Sequence, residues 1–282
     1  MNDFTYTSSC SLDTPEPPGA FTKINRAIAT HNTLARVTDG VRKVIRAYAI
    51  PDVDGGRMTY VFLTDYGLQN AVSGLLGLHR SSVDGRRRRS PLCTRALRVL
   101  EAVWHVLHVH IHSRGIVHGD VRSANVSLPH PDHEGLHGYP DAMLGGFLKM
   151  KTIDDRSTGG VAEDVRGMGR LMRELVTLTP EGVVDERLWR IVRDAPKLSP
   201  LVDGSDEDEA HVVTTLICLA DRCVHPEATE RPDMQCIRDV LGMCTSFLSP
   251  GTRRVSDCGS DNRASRPRSP PAQQSHSTIR DQ

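Results

Sequence analysis

An acid and an amide that could share one phosphoryl-transfer site lie in the segment from His118 to Asn125. Asp120 and Asn125 are five positions apart, between a long amphipathic stretch and a short apolar one. In a loop between a helix and a strand, such an Asp can accept the proton of a hydroxyl group, and the Asn can hold a magnesium ion. The same spacing occurs in ordinary polar loops, so the prediction of a phosphoryl-transfer site depends on the flanking residues.

The elements that would position this loop are mostly helical. Apolar residues recur every three or four positions before the loop, which predicts a helix from Leu92 to His112. The short apolar run from Val126 to Leu128 predicts a strand after it. Further helices are predicted from Asp164 to Leu178, Val183 to Ala195, His211 to Val224 and Pro232 to Phe247.

The N-terminal part of the chain carries weaker signals. Residues 28–37 are a candidate helix, and residues 41–50 are a candidate strand or helix. Residues 59–63 are rich in β-branched and aromatic side chains, which predicts a strand. The turn signal at residues 54–56 indicates that two of these strands form a hairpin, and residues 68–78 are then predicted to be helical.

The composition limits the class of protein. The 282 residues carry no formal net charge, so nothing general favours a nucleic acid or a membrane as partner. No apolar run approaches the roughly 18 residues that span a bilayer, and residues 1–19 lack the pattern of a secretory signal. The seven cysteines include no Cys-x-x-Cys pair, which predicts reduced thiols in the cytoplasm or the nucleus.

Both ends of the chain are predicted to lack a fixed structure. Residues 1–19 are rich in Ser, Thr and Pro and are interpreted as a flexible arm. Residues 249–282 are rich in Arg, Ser, Pro and Gln and are interpreted as a disordered tail. Ser269 precedes a proline among arginines, so a proline-directed kinase could modify it. The folded domain is therefore expected at residues 20–248.

Four stretches together resemble the eukaryotic protein kinase family. The segment from Ile111 to Asn125 is similar to the catalytic loop of that family, with Gly119 where most members have Arg. Residues 59–67 resemble the fifth strand and the hinge of the family. Residues 162–175 resemble the buried helix of its C-lobe, and residues 220–241 resemble the last characteristic sequence segment of the family.

The resemblance covers roughly residues 40–247 and implies an α+β, bilobal, protein-kinase-like fold. A reduced antiparallel β N-lobe is expected at about residues 20–64, and a helical C-lobe at about residues 68–248.

The resemblance also implies roles for individual residues in phosphate transfer from ATP with Mg²⁺. Asp120 would be the catalytic base, Arg122 would contact the transferred phosphate where the family has a Lys, and Asn125 would bind Mg²⁺. The candidate ATP-binding residues are Lys23, Asp65, Tyr66 and Ser127.

Four residues would have structural roles by the same resemblance. The Asp164 carboxylate would accept hydrogen bonds from the loop backbone and cap its helix. Arg231 would be buried and paired with an acid, because an unpaired buried charge costs several kcal/mol, and Glu163 is the nearest candidate. His118 and Phe147 would complete the support of the loop.

The chain departs from the family where the nucleotide is held. Gly19 is the only glycine before residue 40, so no glycine-rich hairpin can cover the phosphates. Residues 20–38 contain no acid that could pair with Lys23. Ser127 places a hydroxyl group where an apolar side chain would support the adenine ring.

The chain also departs from the family where the metal and the peptide substrate are held. Gly146 in Gly146-Phe147-Leu148 replaces the Asp of the Asp-Phe-Gly motif, and glycine offers no side-chain oxygen to Mg²⁺. The segment between Phe147 and Asp164 is short and lacks the Ala-Pro-Glu motif. We expect these losses to remove most of the electrostatic stabilisation of phosphate transfer.

These features leave several functions open. The first is a pseudokinase that acts as a scaffold or allosteric partner of another protein. The alternative is a divergent Ser/Thr-type protein kinase that transfers phosphate from ATP to protein hydroxyls and recruits Asp141 or Asp154 for Mg²⁺. The His-Gly-Asp form also occurs in phosphotransferases similar to aminoglycoside kinases. A decayed reading frame, and a zinc site at His108 and His112, are further alternatives.

Overall fold

The computed structural model describes residues 6–12, 20–41, 44–51, 58–64, 69–83, 92–128, 141–153, 160–179, 185–204 and 206–249. In these residues helices dominate over short strands, so the predicted α+β class is confirmed. The predicted turn at residues 54–56 and the tail with Ser269 lie outside the described residues.

An antiparallel sheet with the strand order β1-β3-β2 lies near the N-terminus. β2 (Val44–Pro51) and β3 (Met58–Thr64) pair with each other, which confirms the predicted hairpin pairing. β1 (Tyr6–Leu12) pairs along the whole of β3, so the prediction of an unstructured arm is wrong for these residues. Local composition did not reveal β1 because its hydrogen bonds come from a strand that is distant in sequence.

The first helix, α1 (Ala20–Ala35), connects β1 with β2 in sequence. It begins well before the predicted start at Ile28, directly after the helix-breaking Pro-Pro-Gly sequence at residues 17–19. The side chains of His31 and Leu34 on this helix are buried in the core.

A short strand and two helices lead towards the loop at His118. β4 (Gln69–Asn70) precedes α2 (Ala71–Val83), and the Asn70 side chain caps this helix by accepting a hydrogen bond from Ser73 N at 2.8 Å. α3 (Leu92–His105) buries one side against the core.

The predicted helix from Leu92 to His112 is not regular over its last turns. α3 continues as a π-helical turn at Val106–Ile111 and as a 3-10 turn at His112–Arg114. Gly115 ends this stretch with a left-handed φ of 67°. The wider turn leaves the 3.6-residue period, and periodicity in the sequence could not reveal this change.

Five short strands of the described structure lie around the loop, β4 among them. β5 (Ile116–Val117) pairs with β8 (Lys151–Thr152). β6 (Val126–Leu128) lies between β4 and β7 (Met143–Leu144) in a second three-stranded sheet. The strands thus hold both ends of the loop, since β5 precedes it and β6 follows it.

From residue 160 onward, the described residues contain four α-helices that supply a large share of the core: α4 (Gly160–Thr177), α5 (Glu186–Asp194), α6 (Glu207–Cys223) and α7 (Met234–Leu248). Asp185, Asp206 and Asp233 cap α5, α6 and α7 through hydrogen bonds from backbone N–H groups. α7 is also tied to α3, because Trp104 Nε1 donates to Met234 O at 2.7 Å. None of the described helices combines the length and the apolar character that crossing a membrane requires.

Candidate active site

A buried carboxylate fixes the backbone at the start of the loop. Asp164 is fully buried in the second turn of α4. Its Oδ2 accepts a hydrogen bond from His118 N at 2.8 Å, and its Oδ1 accepts one from Gly119 N at 2.7 Å. These are the backbone contacts that the resemblance implies for Asp164. The expected helix cap is wrong, because α4 begins earlier, at Gly160.

The irregular end of α3 supplies a third donor to this carboxylate. His112 Nε2 lies 2.9 Å from Asp164 Oδ2. Since an ionised carboxylate can only accept hydrogen bonds, the ring nitrogen is the donor in this pair. The 3-10 turn that follows the π-helical turn therefore places His112 against α4.

His118 is fully buried, and both of its ring nitrogens have partners. Nε2 lies 2.9 Å from Gly145 O, and Nδ1 accepts a hydrogen bond from Asp120 N at 3.2 Å. This pattern requires the neutral ring with its proton on Nε2. Burial lowers the pKa of His118 below its usual value of 6.5, while the Asp164 carboxylate acts in the opposite direction.

Phe147 connects the loop to α1. Its ring lies edge-on between the rings of His31 and His118, with centroid distances of 4.0 Å and 5.0 Å. Phe147 is buried. No motif in the sequence points to His31, which reaches this position through the packing of α1.

Asp120, the candidate base, is surrounded by donors from the chain itself. Its Oδ2 accepts a hydrogen bond from Asn125 Nδ2 at 3.0 Å, and its backbone O accepts one from the same nitrogen at 2.8 Å. Its Oδ1 accepts a hydrogen bond from Lys149 Nζ at 3.0 Å and lies 3.5 Å from Arg122 Nε. The Asp120 side chain is 17% exposed, so it still faces solvent in part.

The position of the Asn125 amide depends on Gly146. The amide nitrogen must face Asp120, because both of the Asp120 atoms that it contacts are acceptors. A Cβ atom at position 146 would lie 2.2 Å from Asn125 Cγ. The missing side chain at position 146 therefore leaves the space in which the Asn125 amide lies.

Two residues that the sequence analysis missed complete the loop. Glu174, on α4, is buried and accepts a hydrogen bond from Ser123 N at 2.7 Å. Lys149 contacts Asp120, and its backbone passes so close to Gly119 that a Cβ atom there would lie 2.9 Å from Lys149 O. No motif spacing points to either residue, since both contacts depend on how distant segments pack.

The structure describes two of the four candidate ATP-binding residues, Lys23 and Ser127. Lys23 lies in the helix α1. Asp65 and Tyr66 lie outside the described residues. Ser127 is buried in the middle strand of the β4-β6-β7 sheet, and its hydroxyl has no hydrogen-bond partner in the described structure.

Arg231 is held by carbonyl groups and not by an acid. It is half-buried, and its guanidinium group donates to His225 O, Ala162 O and Pro226 O at 2.8, 2.9 and 3.0 Å. The predicted partner, Glu163, instead accepts a hydrogen bond from Lys151 Nζ at 2.6 Å. The expected salt bridge is therefore wrong, because three carbonyls of two segments satisfy the guanidinium group.

The described residues include no group of three or more His, Cys, Asp or Glu side chains that could hold a metal ion. The alternative of a zinc site is not supported, because His112 is bonded to Asp164 and the His108 ring stacks on Trp104 at 5.1 Å. Asp141 is exposed, and Asp154 lies outside the described residues.

Comparison of the sequence with models of known protein families found no match, and comparison with curated proteins found none either. Function therefore has to be inferred from the geometry of the loop and from the motifs in the sequence.

Proposed function

We propose that this chain is a protein-kinase-like domain that acts as a pseudokinase, a scaffold or allosteric partner of another protein with little or no phosphate transfer. The neutral net charge gives no reason to add a nucleic acid as partner. The cysteine pattern favours a reducing compartment, either the cytoplasm or the nucleus.

The contacts of Asp164 support the kinase-like part of the proposal. The sequence resemblance requires the acid of one helix to bind the backbone of a distant loop. Asp164 does so at both His118 and Gly119, although 46 and 45 positions separate the residues. Such a specific long-range contact does not follow from a polar loop alone.

The contacts of Asp120 carry the second part of the proposal. A general base must be free to accept a proton from a positioned substrate. Here Asn125 and Lys149 each donate to a different oxygen of the carboxylate, and Arg122 adds a second positive charge. Asp120 is therefore the centre of an internal network of hydrogen bonds and ion pairs. This structural role accounts for the presence of Asp120 and Asn125 in the loop without a catalytic function.

One observation supports the alternative function, a divergent Ser/Thr-type protein kinase that uses ATP and Mg²⁺. The cations beside Asp120 are exposed, with 46% of the Arg122 side chain and 63% of the Lys149 side chain accessible. Exposed ion pairs contribute only about 0–1 kcal/mol, so a bound substrate could displace them.

A phosphate-transfer assay distinguishes the two functions. The full chain and Asp120→Asn, purified in the same way, are incubated with radiolabelled Mg-ATP and with generic Ser/Thr peptide and protein substrates. The pseudokinase proposal predicts equal background counts for both proteins. Transfer by the wild type that Asp120→Asn abolishes would overturn it. Replacement of Asp141, Asp154 and Asp155 in turn would then identify the acid that binds the metal.

A further inference from the structure

The charges around Asp120 favour an anion over a cation. Arg122 and Lys149 both contact the Asp120 carboxylate, so these three groups carry one excess positive charge. Both cations are more exposed than the carboxylate between them. A lysine ammonium has three donors and an arginine guanidinium has five, so each can bind a further acceptor while it keeps Asp120.

Two glycines bring Lys149 to this position. Gly146 has a left-handed φ of 78° and turns the chain into the 3-10 turn at Phe147–Lys149. Gly119 has a φ of 75° and lets the Lys149 backbone approach where a Cβ atom would collide with it. With this backbone path, the Lys149 ammonium group lies 3.0 Å from Asp120 Oδ1.

The residues at this site do not fit magnesium. Mg²⁺ requires several oxygen ligands in a near-octahedral arrangement. Gly146 offers no side-chain oxygen, the Asn125 amide can contribute only its single oxygen, and the Lys149 ammonium group already contacts the Asp120 carboxylate. A divalent cation beside Arg122 and Lys149 would also be repelled by both of them.

We propose that Lys149 takes the place of the metal, and that Arg122 and Lys149 together bind a phosphate group without a divalent cation. Arginine can bind phosphate through two parallel hydrogen bonds, and lysine contributes a compact positive charge. The ligand class is a small molecule with a polyphosphate chain, either a nucleotide or an inorganic polyphosphate. The nucleotide form of this inference rests on the proposed kinase-like fold, whereas the anion site rests only on the contacts of Asp120.

Isothermal titration calorimetry on the full chain tests the site with sodium tripolyphosphate, ATP and adenosine, each in EDTA and in excess MgCl₂. We expect tripolyphosphate and ATP to bind in EDTA, and MgCl₂ to weaken both because it neutralises the polyphosphate. If ATP binds more tightly than tripolyphosphate, the ligand of the site is a nucleotide. If the two affinities are equal, the site recognises only the polyphosphate chain. Binding should weaken as salt is added, since the contacts are exposed and electrostatic.

Lys151 provides a matched control for Lys149. It is also an exposed lysine with an acidic partner, but that partner is Glu163 and not Asp120. Lys149→Met should weaken the binding of tripolyphosphate about fivefold, as expected for the loss of one exposed charge contact. Lys149→Arg should retain the affinity, and Lys151→Met should not change it.

Three results would overturn the inference: no binding of tripolyphosphate in EDTA, tighter binding of ATP in MgCl₂ than in EDTA, or equal effects of Lys149→Met and Lys151→Met. None of these results measures phosphate transfer. Failure of the proposed function would appear separately, as Asp120-dependent transfer from Mg-ATP.

Discussion

Gly119 and Gly146 decide what the loop around Asp120 can do. They stand where the family that the sequence resembles has an Arg and an Asp, and both adopt a left-handed backbone. Each leaves space that a neighbour fills, the Lys149 backbone beside Gly119 and the Asn125 amide beside Gly146. A side chain at either position would therefore displace a neighbour that contacts Asp120.

Gly146→Ala should destabilise the protein more than Gly204→Ala. Gly204 also has a left-handed φ, 63°, but no atom lies within 4 Å of a Cβ atom placed there. Gly204→Ala should therefore cost only the backbone strain of about 1–2 kcal/mol. Gly146→Ala should cost about 1 kcal/mol more, because its Cβ atom displaces the Asn125 amide from Asp120. Urea denaturation measures the free energy of unfolding of both variants. An equal loss of stability in the two would show that the Asn125 amide has no stabilising role.

The buried His118 ring predicts that stability falls as the pH is lowered. Burial lowers the pKa of His118 in the folded state, so below its usual value of 6.5 the unfolded chain binds a proton that the folded protein does not. The free energy of unfolding should decrease as the pH falls through that value, by up to about 1.4 kcal/mol per pH unit from this group.

Urea denaturation at about pH 7.5 and about pH 5.5 measures this pH dependence. His118→Gln should reduce it, whereas His211→Gln, a change at an exposed histidine, should leave it unchanged. His110, whose pKa burial also lowers, is present in both variants and cannot explain a difference between them. An unchanged pH dependence in His118→Gln would contradict the buried neutral ring.

At the scale of elements, periodicity predicted the helices but not their ends. α3, α4, α6 and α7 have continuous apolar faces, so their existence followed from the sequence. The strand β1 depends on its pairing with the distant β3, and neither the π-helical turn after α3 nor the start of α4 at Gly160 follows from an apolar period. Sequence periods carry no information about such contacts.

The same distinction applies to the candidate site. The family resemblance identified Asp120, Asn125 and Asp164, because their motif positions imply contacts across the chain. It did not identify Lys149 or Glu174, whose contacts come from a left-handed turn and from the packing of α4. The resemblance also pointed to Arg231, but its partners in the described structure are carbonyl oxygens and not the expected acid, and no charge pattern in the sequence reveals them.

Arg231 and Glu163 should contribute independently to stability. Arg231→Met should cost about 2–3 kcal/mol, because three backbone carbonyls lose a charged donor. Glu163→Gln should change stability by less than about 0.5 kcal/mol, since Glu163 is exposed and pairs with Lys151. In a double-mutant cycle the two effects should add to within about 0.5 kcal/mol, and a coupling above about 1 kcal/mol would show a direct interaction.

At the scale of the whole molecule, α4 connects the loop to the C-terminal core. Asp164 holds the start of the loop and Glu174 holds Ser123, so one helix fixes two points of it. On the same helix, Arg173 bonds to Asp221 of α6 at 2.6 Å and lies over the Trp189 ring of α5. The helical core therefore holds the loop at two points.

The change in unfolding free energy caused by Asp120→Asn tests most directly whether Asp120 supports the loop or serves as a catalytic base. The account predicts a loss of about 1–2 kcal/mol, because the amide places a donor against Asn125 or Lys149. Asp141→Asn, at an exposed acid, should change stability by less than about 0.5 kcal/mol. A base held ready for catalysis would instead be a strained group whose replacement leaves stability unchanged or raises it. Unchanged or increased stability of Asp120→Asn would therefore contradict the account.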